Sequence, residues 1–195
     1  ECGKTYWTIA HLKWLKTLEL SALQRETLDE YLLTYEYLTE KISRFDERIE
    51  ELASAERYKE KVKHMSCLIG IKTHTALSMI VEVGDFERFE KAPKFASFLG
   101  LVPSEDSSDT RVNRYSITKA GNSHLRRLLV EAAQSYTRGN VGHKSVALRQ
   151  RQQGNPPEVI AYVDKANERL RRRFYKMTLN KGVNRSEAAT AIARD

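Results

Sequence analysis

A heptad pattern of apolar residues is the feature that most constrains how this chain can fold. Between residues 28 and 52 apolar side chains alternate at spacings of three and four over about four heptads. This spacing predicts one long helix with a single apolar seam, typical of a coiled coil that joins copies of a chain. The seam residues are Leu28, Tyr31, Tyr35, Leu38, Ile42, Phe45, Ile49 and Leu52. A long helix that packs only within its own domain is the alternative.

Local signals predict where this helix begins and how the rest of the chain is divided. Ser21 and Gln24 have the spacing of a capping box, and a short aromatic and basic helix is expected before them, over residues 8–18. We expect a first domain over residues 1–63, with the coiled-coil helix, and a second over residues 64–195. The expected fold class is mainly α, with a helix-hairpin-helix in the second domain.

Residues 68–72, Leu-Ile-Gly-Ile-Lys, form the candidate hairpin of this motif. They precede a helix expected from Thr73 to Val83. A turn of this kind presents backbone N–H groups at the start of a helix, where a phosphate can bind. Gly70 and Lys72 are therefore candidate nucleic-acid contacts. An ordinary helical turn would explain the same spacing.

The remaining segments alternate between short helices and polar connections. A short helix is expected over residues 91–99, with Pro93 in its first turn. Residues 104–118 are rich in turn formers and predict a loop, or one short hairpin. A basic helix is expected to begin at Asn122, residues 139–156 are expected to form a mobile polar connection, and Pro157 begins another long helix.

Charge indicates a polyanionic partner. The net charge is +7, and residues 111–185 alone contain 17 Lys or Arg against 4 Asp or Glu. Such a concentrated excess favours nucleic acid, although a solvated basic face would also produce it. No apolar run approaches the length of a membrane span, and two isolated cysteines indicate a reducing cytoplasm. Because the chain does not begin with Met, we expect it to be part of a longer protein.

Serines in the polar segment lie among cationic residues. Those cations are Arg111, Arg114, Lys119, Arg126 and Arg127. A serine that attacks a phosphodiester must lose its proton, and nearby cations must neutralise the phosphate, a task that suits the arginine fork. Serines that only form turns and bind phosphate are the alternative. The five histidines are scattered, so no metal site is expected in this chain.

Residues 100–108 and 117–133 carry a family resemblance. Their sequences are Gly-Leu-Val-Pro-Ser-Glu-Asp-Ser-Ser and Ile-Thr-Lys-Ala-Gly-Asn-Ser-His-Leu-Arg-Arg-Leu-Leu-Val-Glu-Ala-Ala. They closely resemble the C-terminal domain of the IS110-type insertion-sequence transposases, which include the Piv-type DNA invertases. Residues 68–76 and 82–89 are similar to the helix-hairpin-helix of that domain. The resemblance covers most of the chain.

The resemblance implies a role for particular residues. By motif position Ser108 matches the catalytic serine of the family, with its neighbour Ser107 as the alternative. Asp109 stands where the family usually has glycine, and its carboxylate would repel a phosphate. The cations above, together with Gly70, Lys72 and Asn122, are then expected to contact DNA.

The resemblance also implies partners and a missing part. Family members have an N-terminal RNase-H-like domain whose four acidic residues bind divalent metal, expected to be Mg²⁺. They assemble as dimers or tetramers, and a structured guide RNA directs target choice. We therefore expect a bacterial, cytoplasmic fragment, without a cofactor of its own, that binds DNA and carries the serine nucleophile but cannot cut DNA alone. A non-catalytic nucleic-acid-binding and oligomerisation module is the alternative.

Overall fold

A computed structural model describes residues 5–108 and 111–195, without the side chains of residues 106–108 and 111–114. Within these ranges the chain forms nine α-helices and one two-stranded sheet, which confirms the expected mainly α class. The helices are α1 (Ile9–Lys16), α2 (Ala22–Ser54), α3 (Lys59–Met65), α4 (Thr73–Val83), α5 (Ala92–Phe98), α6 (Ser123–Ala133), α7 (Val146–Gln152), α8 (Pro157–Tyr175) and α9 (Arg185–Arg194). The strands are β1 (Pro103–Ser108) and β2 (Arg111–Ile117). A 3-10 turn (Gln134–Thr137) follows α6, and a π-helical turn (Lys176–Asn180) follows α8.

Contacts divide the chain into two compact units, Glu1–Glu47 and Arg48–Asp195. The sequence placed its boundary later, between residues 63 and 64, beyond the end of the heptad seam. The difference arises because Ala53 is buried in the main core of the second unit and Ile49 packs against that core. The last turns of α2 therefore belong with the second unit.

The first unit is held together by aromatic and polar contacts between α1 and α2. His11 is almost completely buried. The ring of Trp7 stacks on that of Tyr35 with centroids 5.5 Å apart. Ser21 opens α2 as expected, since its N–H donates to Oε1 of Gln24 at 3.1 Å.

Most of the apolar seam lies on the surface of the chain. The side chains of Tyr31, Leu38, Ile42 and Phe45 are 72%, 49%, 60% and 58% exposed, respectively. Scattered exposed apolar residues are common, but a row of them at heptad spacing along one helix is typical of an interface.

The second unit has a main core and a smaller cluster. The main core contains Ala53, Val62, Ile71, Ala76, Leu77, Met79, Ile80, Val83, Leu99, Leu101, Leu125, Leu128 and Ala132. The smaller cluster contains Ala133, Tyr136, Phe174, Ala188, Ala189 and Ile192. Because the apolar faces of α4 and α6 both contribute to the main core, burial holds these two helices against each other.

Asn167 on α8 fixes the turn that precedes α4. This buried amide accepts through Oδ1 from the N–H of Ile69 at 3.0 Å and from the hydroxyl of Tyr136 at 2.8 Å. A buried amide stabilises a fold when its hydrogen bonds are satisfied, as they are here. The turn from Ile69 to Lys72 is therefore held by α8, which is distant from it in sequence.

The expectation of a mobile connection over residues 139–156 was wrong for its second half. Residues Val146–Gln152 form α7, whose first turn is capped by Oγ of Ser145 accepting from the N–H of Leu148 at 3.2 Å. Leu148 is 3% exposed. The apolar residues Val146, Ala147 and Leu148 are consecutive and are followed by four polar residues. This order gives no helical periodicity, which explains why the sequence pattern missed this helix.

Candidate nucleic-acid interface

The predicted serine loop forms a hairpin. Strands β1 and β2 pair antiparallel, with Ser107 opposite Val112 and Ser108 opposite Arg111. Ser108 is the last residue of β1 and Arg111 the first of β2, so their backbones flank the tip. The side chains of Ser107, Ser108, Arg111 and Arg114 lie outside the described part of the structure, as do Asp109 and Thr110 entirely.

The base of this hairpin is fixed by backbone hydrogen bonds to the end of α5 and the residues that follow it. The N–H groups of Thr118, Lys119 and Asn122 donate to the carbonyls of Val102, Gly100 and Phe98 at 2.9, 3.1 and 2.9 Å, respectively. These bonds hold the segment between β2 and α6 against the segment between α5 and β1. Lys119 is exposed at this junction.

Asn122 and Arg126 have structural partners at the hairpin base. Asn122 caps α6 by accepting from the N–H of Leu125 at 2.9 Å, and its Nδ2 donates to Oε2 of Glu82 at 2.7 Å. One guanidinium nitrogen of Arg126 donates to the carbonyl of Leu99 at 2.9 Å. Both predicted DNA contacts therefore stabilise the junction, and Arg126 keeps further donors.

Arg127 has weaker contacts within the protein than Asn122 and Arg126 have. Its side chain is 67% exposed, and its Nε lies 4.0 Å from the equally exposed carboxylate of Glu131. A pair at this distance in solvent contributes little, so Arg127 remains available for a phosphate.

His124 has a partner that the sequence did not indicate. Its Nδ1 lies 2.5 Å from Oε1 of Glu82, the same carboxylate that binds Asn122. Glu82 comes from the end of α4, so the start of α6 is tied to the end of α4. Helices α4 and α6 thus run antiparallel within the core.

Gly70 and Lys72 lie at the opposite end of these two helices. A Cβ added to Gly70 would lie only 2.2 Å from the carbonyl oxygen of Ala132, at the end of α6. The missing side chain of Gly70 therefore permits close backbone packing inside the protein. The turn at Gly70 and Lys72 is about 15 Å from Glu82, measured along α4. The predicted DNA contacts therefore form two groups, one at this turn and one at the hairpin base.

A cleft beside Gly70 and Lys72 contains cations that the sequence analysis did not assign to a site. It has a volume of about 430 Å³. Its lining comprises Ile69, Gly70, Lys72, Ser135, Arg138, Gly139, His143, Ser145, Ala147, Leu148, Arg151 and Arg171. We call this the basic cleft, because four of its described lining residues are Lys or Arg and none is Asp or Glu. The hairpin turn indicated Gly70 and Lys72, whereas net charge along residues 111–185 was the only sequence signal for Arg138, Arg151 and Arg171.

Neither a metal site nor a membrane span is found in the described ranges. No three His, Cys, Asp or Glu side chains there are grouped so that they could bind a metal ion. The Mg²⁺ that the resemblance implies therefore has no fitting ligands among residues 5–108 and 111–195. No helix in the same ranges is long and apolar enough to cross a bilayer.

Comparison with known proteins gives consistent matches. Residues 63–148 match the sequence model of the family described as "Transposase IS116/IS110/IS902 family". The chain is 30% identical over 172 residues to "Transposase for insertion sequence element IS1533" of Leptospira borgpetersenii, covering 87% of this chain and 49% of the relative. It is 31% identical over 195 residues to "Putative transposase y4qE" of Sinorhizobium fredii, covering 99% and 46%, respectively. The chain thus spans about half the length of the curated relatives it matches.

Proposed function

Because the chain belongs, through residues 63–148, to the IS116/IS110/IS902 transposase family, we propose that it is the DNA-binding and serine-bearing part of an insertion-sequence transposase. The observation that carries this proposal is the matched domain with its β1–β2 hairpin, in which Ser108 pairs with Arg111 beside the tip. The resemblance supplies the further expectation of a structured guide RNA as a second polyanion.

The cations around the hairpin suit the binding of a phosphate backbone. Lys119 and Arg127 are exposed beside the junction between β2 and α6. Exposed cations of this kind neutralise phosphates and release counterions, which supplies affinity without sequence preference. The family resemblance adds Arg111 and Arg114, which belong to β2, to the expected phosphate contacts.

The proposed chemistry is a transfer of the DNA strand to Ser108. The serine oxygen forms a bond to phosphorus while the phosphodiester bond to the leaving strand oxygen breaks. The serine proton passes to solvent, and the leaving oxygen takes up a proton. Arginines beside the serine would neutralise the charge that accumulates on the phosphate oxygens during this step.

Salt dependence tests the DNA-binding part of this proposal. We expect the affinity for duplex DNA to fall about 100-fold between 50 and 200 mM salt if four phosphates are contacted. Fluorescence anisotropy with a labelled duplex measures this. The double variant Lys119→Ala/Arg127→Ala should flatten the slope of log affinity against log salt by about 1.8, or 0.9 for each phosphate that is no longer neutralised.

A matched variant controls for the loss of charge alone. Arg149→Ala/Lys165→Ala removes two exposed cations that lie outside both the hairpin and the basic cleft. This control should keep nearly the full slope. A salt response that is flat in the unaltered chain would show that phosphates are not contacted and would count against the proposed function.

We also propose that α2 assembles copies of the chain through its apolar seam, as a dimer or a tetramer. The exposure of Tyr31, Leu38, Ile42 and Phe45 supports this, since a coiled-coil partner would bury that row. The alternative function, a binding and assembly module without chemistry, would use the same seam.

Ile42→Asp tests the assembly. A carboxylate at the centre of the seam would have to be buried without a partner, so dissociation into monomers is expected at micromolar concentration. Light scattering coupled to size-exclusion chromatography measures the mass. Leu33→Asp is the control, because Leu33 is 59% exposed but lies off the seam. An unchanged mass for Ile42→Asp would exclude the seam as the interface.

A further inference from the structure

We propose that the basic cleft binds one unpaired nucleotide of a nucleic-acid strand, with its phosphate held by Lys72, Arg138 and Arg151. This proposal rests on the proposed function, since it names a second place at which the same protein contacts its nucleic acid. It differs from that function in the residues involved and in the form of the ligand.

The cations of the cleft are available to a ligand. Lys72 and Arg138 are exposed, and in the described part of the chain neither forms an ion pair with a carboxylate. Arg151 is half-buried, and its Nε donates to the carbonyl of Ser66 at 2.9 Å. Burial lowers the pKa of the Arg151 guanidinium, which indicates a cation that is partly removed from water without a compensating carboxylate.

Arg171 contributes a buried cation to one wall of the cleft. This residue is 5% exposed, and its Nε is buried without a hydrogen-bond partner among the described residues. Its NH1 donates to the carbonyls of Asn140 and His143 at 2.8 and 2.9 Å. Arg171 therefore fixes the wall formed by residues 139–143 and adds a buried positive charge to it, which favours an anion in the cleft.

Two acidic residues close to the cleft already have partners. Asp164 and Glu168 line a smaller neighbouring cavity that shares Arg171 with the cleft. Asp164 pairs with Lys144, and Glu168 lies 3.2 Å from Arg172. These pairs leave the positive potential of the cleft largely uncompensated.

The size and lining of the cleft select a nucleotide over a phosphate ion. A volume of about 430 Å³ lies within the range of about 300–1,000 Å³ typical of small-molecule sites. A phosphate ion would leave most of it empty, whereas a sugar and base could contact Ile69 and Leu148. The base would have to be unpaired to enter a concave site of this kind.

The uncapped start of α4 adds to the same site. Lys72 is the N-cap residue of this helix of 11 residues and makes no side-chain capping bond. The first N–H groups of a helix lack intrahelical acceptors and favour an anion. Lys72 lines the cleft, so these donors lie at its edge and complement the arginine side chains.

The test compares variants of the whole chain on single-stranded and duplex DNA. We expect Lys72→Ala/Arg138→Ala to weaken binding of a labelled single-stranded oligothymidylate at least 10-fold and to reduce its salt slope by about 0.7 for each phosphate that the variant no longer neutralises. The Arg149→Ala/Lys165→Ala control should change this affinity less than 3-fold. Equal losses in the two double variants would overturn the proposal. Duplex binding through Lys119 and Arg127 should persist in the cleft variant.

A second measurement separates this proposal from the proposed function. Amide resonances of Gly139 and Ser145 in the unaltered chain should shift on titration with thymidine 5′-monophosphate, and the shift should be lost in Lys72→Ala/Arg138→Ala. Inorganic phosphate should compete only weakly. If phosphate competes as well as the nucleotide, or if these resonances do not respond, the nucleotide site is refuted. If the unaltered chain does not bind duplex DNA but its Gly139 and Ser145 resonances still shift with thymidine 5′-monophosphate, only the proposed function is refuted.

Discussion

Replacing Gly70 with alanine is expected to lower the free energy of unfolding by about 2–5 kcal/mol. Gly70 has φ of +82°, and the new Cβ would lie 2.2 Å from the carbonyl oxygen of Ala132. The left-handed backbone costs alanine about 1–2 kcal/mol, and forced repacking of a close contact costs about 1–3 kcal/mol more. Urea unfolding followed by circular dichroism measures the change.

Gly84→Ala is the matched control for this prediction. Gly84 has φ of +71°, close to that of Gly70, but no atom lies within 4 Å of its added Cβ. Its ψ of −88° places it outside the left-handed helical region, so Gly84→Ala should show a backbone cost of about 1–3 kcal/mol and no cost from a close contact. Equal destabilisation of the two variants would mean that the contact with Ala132 contributes nothing. If the Gly70→Ala chain does not fold at all, the loss in free energy of unfolding exceeds the stability of the protein, which agrees with the expected direction.

Replacing Ser108 with alanine is expected to abolish covalent attachment of DNA to the protein. The variant removes the proposed nucleophile, and loss of a nucleophile lowers turnover by about three orders of magnitude or more. The assay uses this chain joined to the acidic RNase-H-like domain that the family resemblance implies. Labelled DNA that stays attached to protein in denaturing gels reports the phosphoserine bond.

Ser107→Ala separates the two candidate serines. The strand register places Ser107 opposite Val112 and Ser108 opposite Arg111, next to the tip. We expect Ser107→Ala to retain attachment, and both variants should bind duplex DNA as tightly as the unaltered protein. Attachment that survives in Ser108→Ala but disappears in Ser107→Ala would reverse the assignment. Survival in both would favour the function without chemistry.

Features fixed by local chemistry were predictable from the sequence. The structure contains one half of the capping box, since Gln24 accepts from the N–H and the hydroxyl of Ser21. It also contains the cap at Asn122 and the proline in the first turn of α5. Each of these features acts within one turn of a helix. The long helix was predictable for the same reason, because heptad spacing is a property of consecutive turns.

Features that depend on distant residues were not predictable. The basic cleft collects Lys72, Arg138, Arg151 and Arg171, which lie on four separate elements across 100 residues of chain. No spacing rule relates them. The hairpin turn indicated Lys72, and the three arginines were visible only through the net charge. The close contact of Gly70 with Ala132 was hidden likewise, and the sequence explained Gly70 by its position in a turn alone.

Because α4 and α6 pack antiparallel, the length of α6 fixes the distance between the hairpin base and the basic cleft. The hairpin base is joined to its first residues, and the turn at Gly70, on the rim of the basic cleft, packs against its last full turn. The 11 residues of α6 span about 16 Å, which a strand with its bases stacked at the 3.4 Å rise of a duplex covers in about five nucleotide steps. The fixed length of α6 therefore sets the distance between the hairpin base and the basic cleft. A strand shorter than this distance can contact only one of the two sites.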